Sequence, residues 1–348
     1  VNGDKENVMA ARPVVLFLAR VFKGNEGFAA ARALGWDVVL LTTSELLDCA
    51  WDRASLRDVV AVPDLRDRRV VRNVVAWLAR TLPITRIATV DDPGVELAGH
   101  LRELLQLEGM TESDALRFRD KLAMRVRSRA AGIPVPAFAR VVNDAELEAF
   151  VRDVPAPWLL KPRTGASSEG ITRVPDANAL REALRGLGDE RVQYVLERFV
   201  PSDVFHVDAV VHDGRVVFEE AHQYRTPLLD VVQGGLGMVT ATVPHASALE
   251  RALFAMHRRV VTTLGLRHGV THGEYLRAHG TGELLFLETA ARGRRAHSDA
   301  RRDEHGRRSL AAVRTARARR GGVRRARAAV RPRRALRGAL ARCVPCAS

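Results

Sequence analysis

The chain has 348 residues, 47% of them hydrophobic and 28% charged. That length can bury a large core and suggests two or three domains, and the lack of any run of 18 apolar residues excludes a membrane-spanning helix. The formal charge of +14 sits in one place: residues 293–348 hold 18 Arg against Asp299, Asp303 and Glu304, and the remainder carries −1, so the case for nucleic-acid contact that a high pI makes applies to the tail alone.

Cys49, Cys343 and Cys346 make no disulfide framework, and no signal peptide is apparent, so a cytoplasmic protein is expected. Only four lysines occur, Lys5, Lys23, Lys121 and Lys161, against 51 arginines. Where arginine is the default cation, a retained lysine suggests that a compact point charge is wanted.

Val14–Ala19 (VVLFLA) is a continuous apolar run, the pattern of a buried parallel strand. A loop with Gly24 and Gly27 leads into a helix from about Glu26 to Leu34. Asp37–Leu41 is a second strand, Thr42–Leu47 starts a helix, and Val59–Val62 is a short strand. Asp67–Leu82 is helical, with Val70, Val71, Val74, Val75 and Leu78 on one face. Arg86–Val90 is a strand ending at Asp91 and Asp92, and Pro93 suits the first turn of a helix to Leu105. This alternation predicts an open parallel sheet covered on both faces. Ligands of such sheets gather beyond the carboxyl ends of the strands. The Arg20–Gly27 loop, Asp91 and Asp92 are therefore either substrate contacts or helix caps, with capping favoured for the aspartates. No Gly-x-Gly-x-x-Gly follows the first strand, so a dinucleotide fold is not indicated.

Ser113–Ala131 reads as one long helix carrying Arg119, Asp120 and Lys121, and the segment from Ile133 to Pro136 is an extended connector. Phe138–Val142 is a strand, and Asn143 caps a helix to about Val151. The stretch WLLKPRTGASSEGI, 158–171, is a short apolar strand delivering Lys161 to a small-residue loop of Thr164, Gly165, Ala166, Ser167, Ser168 and Gly170. A cation beside backbone N–H groups that a ligand can approach makes a phosphate cradle; the alternative is a solvated hairpin loop. Gly165 and Gly170 have P-loop spacing, but Ile171 and Thr172 stand where Lys-Ser/Thr must follow, and a strand to Val174 continues where a helix is required. A helix spans about Asp176–Leu187.

Gln193–Arg198 is a strand with Glu197 near its end. Val204–Val211 and Arg215–Tyr224 form a hairpin around Asp213-Gly214, a two-residue turn signal. Met238–Val243 is a strand and Leu249–Leu264 an amphipathic helix. Gly269–Leu276 and Glu283–Thr289 form a second hairpin, carrying Glu274 and Glu288. Acids on adjacent strands can lie side by side, and oxygen ligands suit Mg²⁺; the alternative is a pair of exposed strand acids.

FRDKLAMR with AGIPVP, then WLLKPRTGASSEGI, LERFVPSDVFHVD, GVTHGEYL and LFLETAAR, in this order and spacing, resemble the ATP-grasp superfamily, particularly its carboxylate–amine ligases of amino-acid ligase type. The resemblance covers most of residues 110–292. It implies an N-terminal open parallel α/β sheet domain (13–110), then a two-lobed α+β ATP-grasp fold with a small lobe (111–190) and a C-terminal lobe (191–292); the composition of residues 293–348 instead predicts a disordered Arg-rich tail. It implies ATP and Mg²⁺ as cofactors and a small carboxylate and an amine as substrates, joined through an acyl phosphate. Lys121 and Lys161 would contact the ATP phosphates, with the loop of Gly165, Ser167, Ser168 and Gly170 closing over them. Glu197 and the Phe199–Val200 backbone would hold adenine, and Asp203 the ribose, although the family often has that acid where Val204 stands here. Glu274 and Glu288 would bind Mg²⁺; Ala290 replaces the usual amide, leaving one ligand unfilled. Arg292 would act catalytically by steadying the transferred phosphate. His206, His222, His272 and Arg225 lie on the strands of the expected substrate cleft.

After Arg292 the chain becomes Arg/Ala/Gly-rich with no apolar periodicity, a composition that cannot bury a core. One reading is a reading-frame slip in GC-rich DNA just after Arg292, which the other two frames of the gene would reveal. A genuine basic tail that binds nucleic acid is the alternative, without base stacking, since 293–348 contain no aromatic residue. Non-catalytic nucleotide binding is the corresponding alternative for the whole chain.

Overall fold

The computed structural model describes residues 12–165, 169–226 and 239–291. The readings placed on Ser167, Ser168, Arg292 and the tail therefore lie outside the described residues. Three sheets organise the rest.

Four strands, β1 (Val14–Ala19), β2 (Asp37–Thr43), β3 (Asp58–Val62) and β4 (Ile84–Thr89), form a parallel sheet in the order β3-β2-β1-β4. Their side chains alternate between two faces, so an unbroken apolar run buries both. On one face Leu16, Leu18, Val39 and Leu41 meet Val71, Val75 and Leu78 of α2 (Arg68–Ala79) and Leu97 and Leu101 of α3 (Gly94–Leu104). On the other, Val15, Val38 and Leu40 pack with Trp51 and with Phe28 of α1 (Asn25–Ala33). Asp91 is a cap, as the more conservative reading has it: Oδ1 accepts from the Gly94 N–H at 2.8 Å and Oδ2 from the Arg20 N–H at 2.6 Å. It ties the start of α3 to the loop after β1. The helix expected at Thr42–Leu47 is instead the end of β2 followed by a 3₁₀ turn at Ser44–Leu46. The buried Thr42 hydroxyl donates to the Ala19 carbonyl at 2.8 Å, which holds that residue in the sheet.

The helix expected at Ser113–Ala131 is two, α4 (Glu112–Leu116) and α5 (Lys121–Ala130). Asp120 causes the break. Its Oδ1 accepts from the N–H groups of Leu122 and Ala123, which makes it the N-cap of α5. Periodicity alone does not show this, because the apolar stripe runs on through the joint.

A small antiparallel sheet follows: β5 (Phe138–Arg140), β6 (Trp158–Pro162), β7 (Thr172–Val174) and β8 (Tyr194–Arg198), in the order β5-β8-β6-β7. Trp158, Leu160 and Leu196 pack under α6 (Asp144–Asp153) and α7 (Ala177–Leu187). The third sheet holds β9 (Ser202–His212), β10 (Arg215–Tyr224), β11 (Thr240–Thr242), β12 (Gly269–Ala278) and β13 (Leu284–Ala291), in the order β11-β10-β9-β12-β13. Asp213 and Gly214 both have positive φ, 49° and 72°, as a two-residue hairpin turn requires. One face of this sheet, with Phe205, Val207, Tyr275 and Phe286, is covered by Leu253, Val260, Val261 and Leu264 of α8 (Ala248–Leu264). Gly273 keeps that contact close: a Cβ there would lie 2.8 Å from both His257 Nδ1 and the Tyr275 hydroxyl. Among the described residues no helix is long and apolar enough to cross a membrane.

Candidate active site

Helix α5 is fastened to β13 at three consecutive positions. An Arg125 N–H donates to the Leu287 carbonyl, Lys121 Nζ lies 3.1 Å from Glu288 Oε2, and the Thr289 N–H meets Met124 Sδ at 3.4 Å. The same helix grips the loop after β6. The Lys121 N–H donates to the Arg163 carbonyl at 2.8 Å and its Nζ to the Gly165 carbonyl at 3.3 Å. The Arg163 guanidinium clasps Asp120 through two N–H groups, and those hydrogen bonds raise its pKa. Lys121 thus stands where the loop after β6 meets the strand bearing Glu288.

Lys161 is delivered by β6 with its ammonium buried, and Nζ donates to Glu197 Oε2 at 2.7 Å. The other Glu197 oxygen is 2.9 Å from Arg125 Nη2, and the Arg125 side chain is wholly buried. Burial opposes the charge on Glu197, but Arg125 and Lys161 outweigh it and bring its pKa down to about 2. The Glu197 carboxylate, expected to hold adenine, turns inward here and pairs with Lys161 and Arg125. The Phe199 N–H is likewise taken, by the Pro157 carbonyl at 3.0 Å, while Arg173 lies over the Phe199 ring. The Val200 carbonyl accepts from Ser202 Oγ at 3.0 Å. Asp203 is half-buried and 3.4 Å from His279 Nε2.

Glu274 and Glu288 are direct cross-strand partners, as the hairpin reading anticipates. Glu274 is nearly buried. Its Oε1 accepts from the Tyr224 hydroxyl at 3.0 Å and lies 3.4 Å from His272 Nε2. Burial works against its charge, yet His272 and Tyr224 keep its pKa below the usual carboxylate value. Beside it Asp208, opposite His272 in register, lies 2.7 Å from His272 Nδ1 and 3.0 Å from His206 Nδ1. Burial disfavours the Asp208 anion, but the two imidazoles hold it well below the usual range. Burial also disfavours charge on His272, and Asp208 and Glu274 reverse the balance and raise its pKa. His206 packs against the rings of His222, Tyr224 and His272 at 4.8–4.9 Å between centroids. Arg225 is exposed at the end of β10, with Nη1 3.4 Å from Gln223 Oε1. Of the loop glycines, Gly165 and Gly170 have positive φ, 138° and 72°, and a Cβ at Gly170 would reach within 2.9 Å of Pro162.

Residues 28–109 match the ATP-grasp N-terminal domain family, and residues 126–297 match the ATP-grasp domain family. The chain belongs to the ATP-grasp superfamily. ATP-grasp proteins use ATP. Among curated relatives is an L-arginine-specific L-amino acid ligase of Bacillus subtilis, 24% identical over 243 residues that make up 67% of this chain and 57% of the relative. The chain therefore spans little more than half of that protein's length. An L-amino acid ligase from Bacillus licheniformis shares the fold with a TM-score of 0.66 at 22% identity, covering 81% of this chain and 67% of that one. N5-carboxyaminoimidazole ribonucleotide synthetase from Thermus thermophilus superposes with a TM-score of 0.62 at 23% identity, covering 80% and 71%.

Within this ATP-grasp architecture the sequence reading left three residues without a role. Arg125 joins Glu197 to β13, Asp208 gathers two histidines, and Tyr224 orients Glu274. Arg125 had a signal, since it sits one helical turn after Lys121 in FRDKLAMR. Asp208 had one too, two positions after His206 on the same strand face.

Proposed function

We propose that this ATP-grasp chain is an ATP-dependent carboxylate–amine ligase acting on a small carboxylic acid or amino acid. Residues 13–110, 111–190 and 191–292 are its N-terminal domain, small lobe and C-terminal lobe. The observation that carries the reading is the position of Lys121: its ammonium bridges the Gly165 carbonyl of the small lobe and Glu288 of the large one. A phosphate-binding loop, a point cation and an acidic pair meet there.

In this reading Lys121 and Lys161 neutralise phosphate oxygens. Lys161 Nζ has three donors and gives one to Glu197, which fixes its position and leaves two for a ligand. Asp203, with the Phe199 carbonyl and Val200, supplies the nucleoside contacts, and Arg292 steadies the phosphoryl group. Glu274 and Glu288 suit Mg²⁺ by chemistry, being two hard oxygen donors side by side, each with one oxygen beyond those named above. When bound, the ion would offset charge on the transferred phosphate. The substrate carboxylate takes the phosphoryl group, the amine attacks the acyl carbon and phosphate leaves. His206 and Arg225 are the substrate contacts of this proposal. The names of the relatives support an amino acid as one substrate.

The test is release of ADP and phosphate by the full chain supplied with MgATP and panels of amino acids. Product that accumulates only when acid and amine are both present supports the reading. ADP formation indifferent to the amine, or no thermal stabilisation by MgATP, overturns it.

A further inference from the structure

His206, Asp208 and His272 come together for a reason of register. His206 and Asp208 are two apart on β9 and share a face, and His272 on β12 is the cross-strand partner of Asp208. Both strands are interior to the five-stranded sheet, so their backbones are held on each side. One donor atom from each residue falls in a group whose members all lie within 4.8 Å of one another. Both histidines are buried.

We propose that these three side chains form a site for a divalent transition metal of the zinc type, separate from the Glu274–Glu288 pair. Two imidazoles and one carboxylate are a borderline donor set. It suits Zn²⁺ and poorly suits Mg²⁺ or Ca²⁺, which take oxygen ligands. Around zinc, with bonds of about 2.0–2.1 Å, tetrahedral donors stand about 3.3 Å apart. The Asp208 oxygens now lie 2.7 Å from His272 Nδ1 and 3.0 Å from His206 Nδ1. These two separations fall short of that spacing by roughly half an ångström, so binding requires the carboxylate and imidazoles to part by that much.

A second observation favours a metal over a bare hydrogen-bonded cluster. A metal-ligating histidine characteristically gives its other ring nitrogen to a carboxylate. His272 turns Nδ1 to the shared centre, and its Nε2 lies 3.4 Å from Glu274 Oε1 and 3.3 Å from the Tyr224 hydroxyl. Three protein ligands leave a fourth position for water or an exchangeable ligand. The site is on the face that also carries Glu274 and Glu288, so its occupant would share the cleft with the reacting groups.

The experiment needs neither nucleotide nor turnover, so it stands or falls apart from the ligase reading. The full-length protein is stripped with chelator and titrated with Co²⁺, and its visible ligand-field bands are followed. One equivalent is expected to bind, to be displaced by Zn²⁺ and to persist in excess Mg²⁺. His206→Ala and His272→Ala are each expected to weaken binding by more than about 100-fold, and Glu288→Gln to leave it unchanged. The wild-type protein gives an independent readout if a variant fails to fold: Zn²⁺ should shift the side-chain ¹⁵N resonances of His206 and His272 together. Co²⁺ bands that survive both histidine substitutions, loss of the bands to Mg²⁺, or imidazole resonances unmoved by Zn²⁺ overturn the proposal and leave a proton-linked network.

Discussion

Two ionic groups meet at β13 and are built in opposite ways. Lys161, Glu197 and Arg125 are closed: each is buried, and both Glu197 oxygens face a cation. Glu274 and Glu288 are more open: they stand side by side as like charges, Glu274 buried against Tyr224 and His272 but Glu288 partly exposed and held by one lysine. The first arrangement fixes geometry, because removing a member strands a charge in a low dielectric. The second is poised for a ligand, because like charges tolerate that spacing best when a cation is shared.

The comparison breaks most severely at Arg125. Arg125→Met leaves Glu197 with Lys161 alone and opens the tie to β13, so the unfolding free energy should fall by about 3–5 kcal/mol in a urea titration. A change of under about 1 kcal/mol would mean that the triad is not closed. Lys161→Ala separates the two roles of that group. Glu197 keeps Arg125, so stability should fall less than in Arg125→Met. Phosphate release should nevertheless drop by about 100–1000-fold, and the MgATP-induced rise in Tm should vanish.

A further closed group tests the same idea through pH. His257, beneath β12, lies 2.6 Å from the Tyr275 hydroxyl and 2.9 Å from Thr271 Oγ1. Burial is the main cause of its low pKa, about 4; Asp208 opposes, and His272 and Arg258 assist. Below the unfolded value of 6.5 the unfolded chain binds the proton more readily. The contribution of His257 is therefore complete above pH 6.5, declines as the pH falls and is gone below about 4. It amounts to about 3 kcal/mol, read as the difference in the pH dependence of the urea midpoint between wild type and His257→Asn. Identical curves would show that the imidazole is not held neutral. The smallest effect on stability belongs to the open pair. Glu288→Gln should change the unfolding free energy by less than about 1 kcal/mol while raising the Mg²⁺ concentration needed for half-maximal activity. A large loss of stability would place Glu288 with the closed group.

The sequence by itself determined the architecture. Continuous apolar runs marked the buried parallel strands, Asp213-Gly214 marked the first hairpin, and the second hairpin put Glu274 and Glu288 on adjacent strands, because strand periodicity and turn chemistry act over a few residues. Sparse lysine pointed to Lys121 and Lys161 before any contact was known. Only the tertiary structure decided what each charge faces. Asp120 broke a helix that periodicity continued, Glu197 turned inward to Lys161, Arg125 crossed from α5 to β13, and Asp208 collected histidines from two strands. These are contacts between residues 36 to 162 positions apart in three of the four cases. The balance of burial against pairing that sets their charge depends on that assembled surrounding, which no local pattern encodes.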